Sequence, residues 1–227
     1  MLTFFTLFNV EQHQTYNVSM ALFRRLQLER SFTNLLRPAL SAIISSLLKK
    51  MRVRLAKIAD IPALQELIPE SVRELSALYY SSSQIESALT HIFGVDSQLI
   101  LDGTYFVAEA EEQIVACGGW SKRETLFGGD QSKKSGIDAL LDPGEDAARI
   151  RAFYVHPKWS RRGIGSRIIR CCEDAARQSG FLKIELVATL PGEPLYSAIG
   201  YRIIEPTEIR TPDGESLPAF RMEKDLE

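Results

Sequence analysis

The chain has 227 residues, 45% hydrophobic and 25% charged, with a formal net charge of −2. This is ordinary globular composition, long enough for a sizeable core, and the near-neutral charge gives no bulk electrostatic reason to expect a nucleic-acid or membrane partner. The three cysteines, Cys117 in one expected strand and Cys171 and Cys172 adjacent on an expected helix, form neither a disulfide framework nor a metal-ligand spacing, so no metal and a reducing, cytoplasmic compartment are expected.

The charge is unevenly spread. Residues 1–50 carry six Lys/Arg against two Asp/Glu, and the rest of the chain holds 21 against 27. Ala21 to Met51 mixes Leu, Ile, Arg and Ser as a basic amphipathic helix would. Its longest apolar piece, Pro38 to Leu48, is far short of the roughly 18 residues that a membrane span needs. A transit peptide or a surface-seeking helix fits the composition. Met51, however, opens the run MRVRLAKIADIPALQEL, which reads as the first strand and helix of a domain. Residues 1–50 are therefore read as an upstream extension of the reading frame with no folded role, and 51–227 as the domain.

Within that domain Val53 and Leu55 alternate as a short strand, Asp60 is placed to cap, and Pro62 suits the first turn of a helix. Ser71 with Glu74 and Ser83 with Glu86 have capping-box spacing, predicting two further helices that end near Tyr80 and Gly94. Tyr105 to Glu109 and Gln113 to Trp120 read as a hairpin turning at Ala110 to Glu112, closed off by Gly118 and Gly119. Residues 121–148 are polar and turn-rich, with a brief helix expected only at Ile137 to Leu141. A loop of that length usually carries function or moves. Ile150 to Val155 is the next strand, stopped by His156 and Pro157. Gly163 to Gly165 then open a helix whose apolar positions recur at Ile164, Ile168, Cys171 or Cys172, and Ala175. The helix stops at Gly180. A strand at Lys183 to Val187, a short helix around Pro194 to Ile199, a strand from Tyr201 and a last strand over Ala219 to Glu223 complete the series.

The run Ile150 to Ile168 carries the chemistry. Free backbone N–H groups, the positive end of a helix dipole, and the side chains of Arg161 and Arg162 converge where that helix begins, which suits a phosphate. The G-x-G at Gly163 and Gly165 also resembles the front of a dinucleotide fingerprint, with Glu185 twenty residues on. The third glycine is replaced by Ile168, and the motif follows a hairpin rather than alternating strand and helix units.

Two signatures in order resemble the GCN5-related N-acetyltransferases over about Arg52 to Glu223. The first is a strand followed by R/Q-x-x-G-x-G/A, here Ser160-Arg161-Arg162-Gly163-Ile164-Gly165, with Ser160 departing from the pattern. The second is Y-x-x-x-G-[FY], here Tyr196 to Tyr201. The hairpin ending in Cys117-Gly118-Gly119-Trp120 matches the strands that precede them. The resemblance implies an α/β (α+β mixed) fold, a mostly antiparallel mixed sheet flanked by helices. It also implies acetyl-CoA as cosubstrate and transfer to a primary amine of a small molecule or peptide by direct attack.

By position, the backbone of Phe153, Tyr154 and Val155 would hold the pantetheine arm and supply an oxyanion donor, and Arg161 to Ser166 would cradle the diphosphate. Tyr196 would be the general acid. Glu109 is a candidate base, and Trp120, Ser121 and Arg123 with the following loop are candidates for the acceptor pocket. His156 ranks below Glu109, and the cysteines read as small core residues. A non-catalytic acyl-CoA-binding module is the alternative function, a nicotinamide-dependent dehydrogenase ranks below both, and a homodimer is compatible with the sequence.

Overall fold

The computed structural model describes residues 51–133 and 138–226. The readings of residues 1–50 and of Ile137 lie outside the described residues. Seven strands form one sheet in the order β1-β2-β3-β4-β5-β7-β6. They are β1 (Arg52–Leu55), β2 (Tyr105–Ala110), β3 (Gln113–Ser121), β4 (Ala148–Val155), β5 (Lys183–Thr189), β6 (Arg202–Arg210) and β7 (Ser216–Asp225). Every neighbouring pair is antiparallel except β4 with β5. The parallel pair is brief: only Ala148 with Ile184 and Arg149 with Glu185 are in register, and beyond them the two strands part. The sheet is thus the mixed, mostly antiparallel one expected, and the opening between β4 and β5 is its principal irregularity.

Three helices, α1 (Ile61–Ser76), α2 (Ser82–His91) and α3 (Ser97–Leu101), precede the β2–β3 hairpin. Leu64, Leu67, Ile68 and Val72 of α1 and Ile85 and Ala88 of α2 recur at helical spacing, and bury one face against Tyr105, Val107 and Cys117 of the sheet. α4 (Ile164–Gln178) buries Ile164, Ile168, Ile169, Cys172 and Ala176, so the apolar stripe takes Cys172 rather than Cys171 and runs one residue later than Ala175. α5 (Glu193–Ala198) is a short turn of helix leading into β6.

Several local readings differ from the structure for identifiable reasons. α1 is one helix of 16 residues, and it continues through Pro69 instead of restarting at Ser71. Ser71 is buried and hydrogen-bonds a distant strand, so it is not a cap. The cap of α2 is Ser81, whose side chain and that of Gln84 form the reciprocal box two residues before the expected one. Asp60 does not cap α1, because its carboxylate accepts from the Lys57 N–H and from Arg54. β3 runs through Gly118 and Gly119 to Ser121 instead of ending at the glycines. A Cβ at Gly118 would lie 2.1 Å from the Phe153 ring, so this glycine makes room for a side chain of β4. Leu140 pairs with Arg123 as an isolated antiparallel bridge where a helix was expected.

The hairpin turns on Glu111 and Glu112, both left-handed at φ 51° and 63°, as a two-residue primed turn requires. β4 carries a bulge opposite the interval from Cys117 to Gly119, with Ala152 at φ 54°. The Tyr105 hydroxyl donates to the Ala152 carbonyl at 2.9 Å and holds the bulge in place. Among the described residues no helix is long and apolar enough to cross a membrane.

Candidate active site

Where β4 and β5 part, a cleft of about 470 Å³ opens. One wall is the tip of β4 with the turn that follows it, and the other is β5 with α5. Pro157 to Trp159 make a single 3-10 turn after β4. Arg161 at φ 60° and Gly163 at φ 79° are both left-handed, and they swing the chain back so that α4 starts against the cleft. Nothing lies within 4 Å of a Cβ built at Gly163, so glycine is there for its backbone angle. Gly165 is different: a Cβ there would lie 2.9 Å from Leu195 Cδ2 of α5. The first-turn amides at Ile164 to Ser166 have no carbonyl partner within the helix, and with Arg161 they form an anion cradle on the cleft wall.

The residues expected to hold a cofactor mostly meet here. Phe153, Tyr154, Val155, Arg161, Gly163, Ile164, Gly165 and Ser166 all line the cleft. Arg162 does not, because its guanidinium stacks 4.9 Å over the Trp159 ring. Ser160 turns inward, its hydroxyl donating to the Pro157 carbonyl at 2.8 Å. Tyr196 also lines the cleft, buried between Phe153 at 6.3 Å and Tyr201 at 5.6 Å, both rings edge-on. Burial pushes its phenol well above the usual tyrosine value, so the hydroxyl keeps its proton throughout the neutral range.

The other expected residues lie elsewhere. Glu109 accepts from Arg54 Nε at 2.8 Å on the β1 edge of the sheet, in a network that Asp60 completes. Trp120 packs edge-on against Phe181 at 5.9 Å, buried in the core. Arg123 binds Asp102 through Nε at 2.7 Å and Nη2 at 2.9 Å, and donates to the Asp138 carbonyl, while its backbone N–H goes to the Ser121 hydroxyl. The His156 Nδ1 accepts from the Lys158 N–H, and its Nε2 faces Glu70 at 3.4 Å. Cys117 and Cys172 are buried and their thiols are held protonated by burial, Cys117 pushed up to about 12.

Sequence reasoning missed four contributors. Ser71 lines the cleft from α1; its hydroxyl donates to the Val155 carbonyl at 2.8 Å and accepts from the Val155 N–H at 3.2 Å. Phe127 comes from the long loop and Phe93 from the end of α2, and both face the cleft. Arg151 of β4 is fully buried and paired with Asp96 at 2.8 Å, and its Nη1 donates to the Thr125 carbonyl, so it ties the loop to the strand. Nothing local in the sequence marks these residues, since each acts across a tertiary contact.

A family model described as an acetyltransferase (GNAT) domain matches residues 101–203, a span holding the hairpin, the bulged strand, the motif turn and Tyr196. Over that span the chain has the GNAT acetyltransferase fold. No curated protein matches it by sequence. Among solved structures, the GNAT fold here is similar to a GCN5-related N-acetyltransferase from Rhodopseudomonas palustris at 20% identity and a TM-score of 0.58, covering 77% of this chain and 95% of that one. It is also similar to the PaiA N-acetyltransferase of Thermoplasma acidophilum in complex with coenzyme A (16% identity, TM-score 0.52, 77% and 98% covered). A third is YncA of Salmonella typhimurium with its cofactor acetyl-CoA (16% identity, TM-score 0.53, 78% and 95% covered). At these identities the likeness is one of fold alone.

Proposed function

We propose that the protein is an acetyl-CoA-dependent N-acetyltransferase in which a primary amine of a small molecule or peptide attacks the thioester directly, within a ternary complex. The observation that carries this reading is that the anion cradle, the parted tip of β4 and the phenol of Tyr196 share one cleft. The cradle suits the diphosphate of coenzyme A: it has backbone donors, a cationic Arg161 and, at Gly163, a glycine with open space where a side chain would stand. When bound, acetyl-CoA supplies the acyl group and the leaving thiolate.

The chain's own residues supply the rest. The backbone of Phe153 to Val155 faces the cleft and orients the pantetheine arm, and a strand N–H stabilises negative charge that develops on the carbonyl oxygen. Tyr196 gives its proton to the departing sulfur. Its raised pKa makes it a weak acid, so it acts through position and through being protonated at all working pH values. Among the described residues lining the cleft there is no Asp, Glu or His, so the ammonium proton leaves through water. Glu109 serves Arg54, and Arg123 serves the loop, outside the reacting centre.

Calorimetry with CoA, followed by thiol release from acetyl-CoA across an amine panel, tests the reading. CoA binding with release for at least one amine is expected. Tyr196→Phe is expected to lower kcat on the order of a hundredfold while leaving CoA affinity within about twofold. Unaltered turnover would remove Tyr196 from the mechanism. The same bare cleft favours one second reading, a non-catalytic acyl-CoA-binding module, for which CoA binds and no amine releases thiol.

A further inference from the structure

Beyond Tyr154 and Val155 the cleft continues into a groove walled by Val72 and Leu75 of α1, Phe93, Phe127, Val187 of β5 and Ile209 of β6. The groove is preformed. The Gly129 and Asp130 N–H groups donate to the Ile92 and Val95 carbonyls at 2.7 and 2.8 Å, and Gln131 Nε2 donates to the Phe93 carbonyl at 2.7 Å. These bonds fasten the segment bearing Phe127 to the end of α2. Phe93 is itself set edge-on to Tyr154 at 6.4 Å.

Its charge is as informative as its shape. The charged residues on the cleft wall are Arg151 and Arg161, and both are cationic. The Arg151 side chain is fully buried and committed to Asp96 and the Thr125 carbonyl, and Arg161 stands at the opposite, cradle end. The Ser71 hydroxyl beside the β4 tip is committed to Val155. A second ammonium on the acceptor would be stripped of water with no counter-charge offered, which is strongly unfavourable. An apolar substituent meets the side chains of Val72, Leu75, Phe93, Phe127, Val187 and Ile209. Entry into the same walls also lowers the pKa of the single reacting ammonium, because desolvation disfavours its charged form. The groove would thereby supply the neutral nucleophile for which the cleft has no side-chain base.

We infer that the acceptor is a monoamine carrying an apolar substituent of about ring size, seated among Val72, Phe93, Phe127 and Ile209 with its nitrogen toward the tip of β4. This rests on the acetyltransferase reading above. The test uses the full chain and acetyl-CoA. Thiol release is measured with phenethylamine and hexylamine, with methylamine as the same nucleophile without a substituent, and with spermidine and agmatine as acceptors bearing a further cation. In parallel, calorimetry measures phenethylamine and spermidine binding to the CoA-loaded chain.

The kcat/KM for phenethylamine is expected to exceed those for methylamine and spermidine by about tenfold or more, the scale of discrimination that an apolar pocket achieves. Phe127→Asp is expected to reduce that advantage at least tenfold and to improve spermidine. Phe127→Ala, which introduces no charge, is expected to erase most of the preference over methylamine should the aspartate variant not fold. Spermidine or agmatine favoured over phenethylamine, or a preference unchanged in the Phe127 variants, would overturn the inference. If no amine releases thiol, the catalytic reading fails separately, and the groove is judged on binding: phenethylamine tighter than spermidine sustains it, and the reverse order sinks it.

Discussion

At the scale of single residues, the cleft depends on groups whose partners lie far away in sequence. The Ser71 hydroxyl satisfies both the N–H and the carbonyl of Val155 from 84 residues away. Ser71→Ala would take this partner from both backbone groups on the wall of the cleft. A loss of about 1–3 kcal/mol in urea unfolding is expected, with a fall in kcat as the tip of β4 loosens. Full stability in that variant would mean that water replaces the hydroxyl. Gly163, Gly165 and Tyr196 were legible because their job is encoded by local spacing: a left-handed turn, a helix start, a tyrosine four residues before a glycine. Ser71, Phe93, Phe127 and Gly118 were not. Ser71 has the local pattern of a helix cap, and only the approach of β4 gives it another use. Gly118 reads as a strand terminator until the Phe153 ring is placed where its side chain would be. Glu109, at a strand end facing the motif strand in the sequence reading, is claimed by Arg54 of an edge strand whose pairing no local pattern specifies.

At the scale of elements, the strands were readable from alternation and the long helices from periodicity, whereas the division of α1 at Ser71, the short α3 and the bridge at Leu140 were not. α1 passes through Pro69 because buried Ile68, Ser71 and Val72 keep its second half on the sheet, so packing outweighs the missing hydrogen bond. β3 passes through two glycines because its neighbours on either side hold the ladder. The contact between α4 and α5 offers a direct test of how the cradle is built. Gly165→Ala would press a methyl against Leu195 at 2.9 Å. It is expected to weaken CoA binding about tenfold by moving the first turn of α4, a penalty in the range of core overpacking. Leu195→Ala in the same chain should restore much of that affinity. Were the double variant no better than the single one, crowding by Leu195 would not be the reason for this glycine.

At the scale of the whole molecule, buried phenols set the response to alkali. Tyr154, Tyr196 and Tyr201 are each pushed above the ordinary tyrosine value, chiefly by burial. The unfolded chain releases these protons near pH 10, whereas the folded chain keeps them, so the native state binds more protons there and stability falls as pH rises. The stabilising contribution is complete below about pH 10 and is lost progressively above it. The urea midpoint should therefore hold up to about pH 10 and drop between about pH 10 and pH 11.5, and Tyr201→Phe should lessen that drop. The hydroxyl of Tyr201 is buried beside Glu173, whose carboxylate keeps Lys224 as a partner, so the substitution removes a titrating group without orphaning that carboxylate. An unchanged pH response in Tyr201→Phe would remove this residue from the effect.

The parting of β4 from β5 has a mechanical consequence. Two register pairs join the halves of the sheet at one end. Farther along, Tyr80 spans from the helical layer, donating to the Pro218 carbonyl and accepting from the Leu190 N–H. The sheet is thus a hinged pair of leaves whose gap is fixed by a pin, and protein backbone leaves that gap open. A pantetheine arm lying there would complete the sheet, as a rung made of something other than polypeptide.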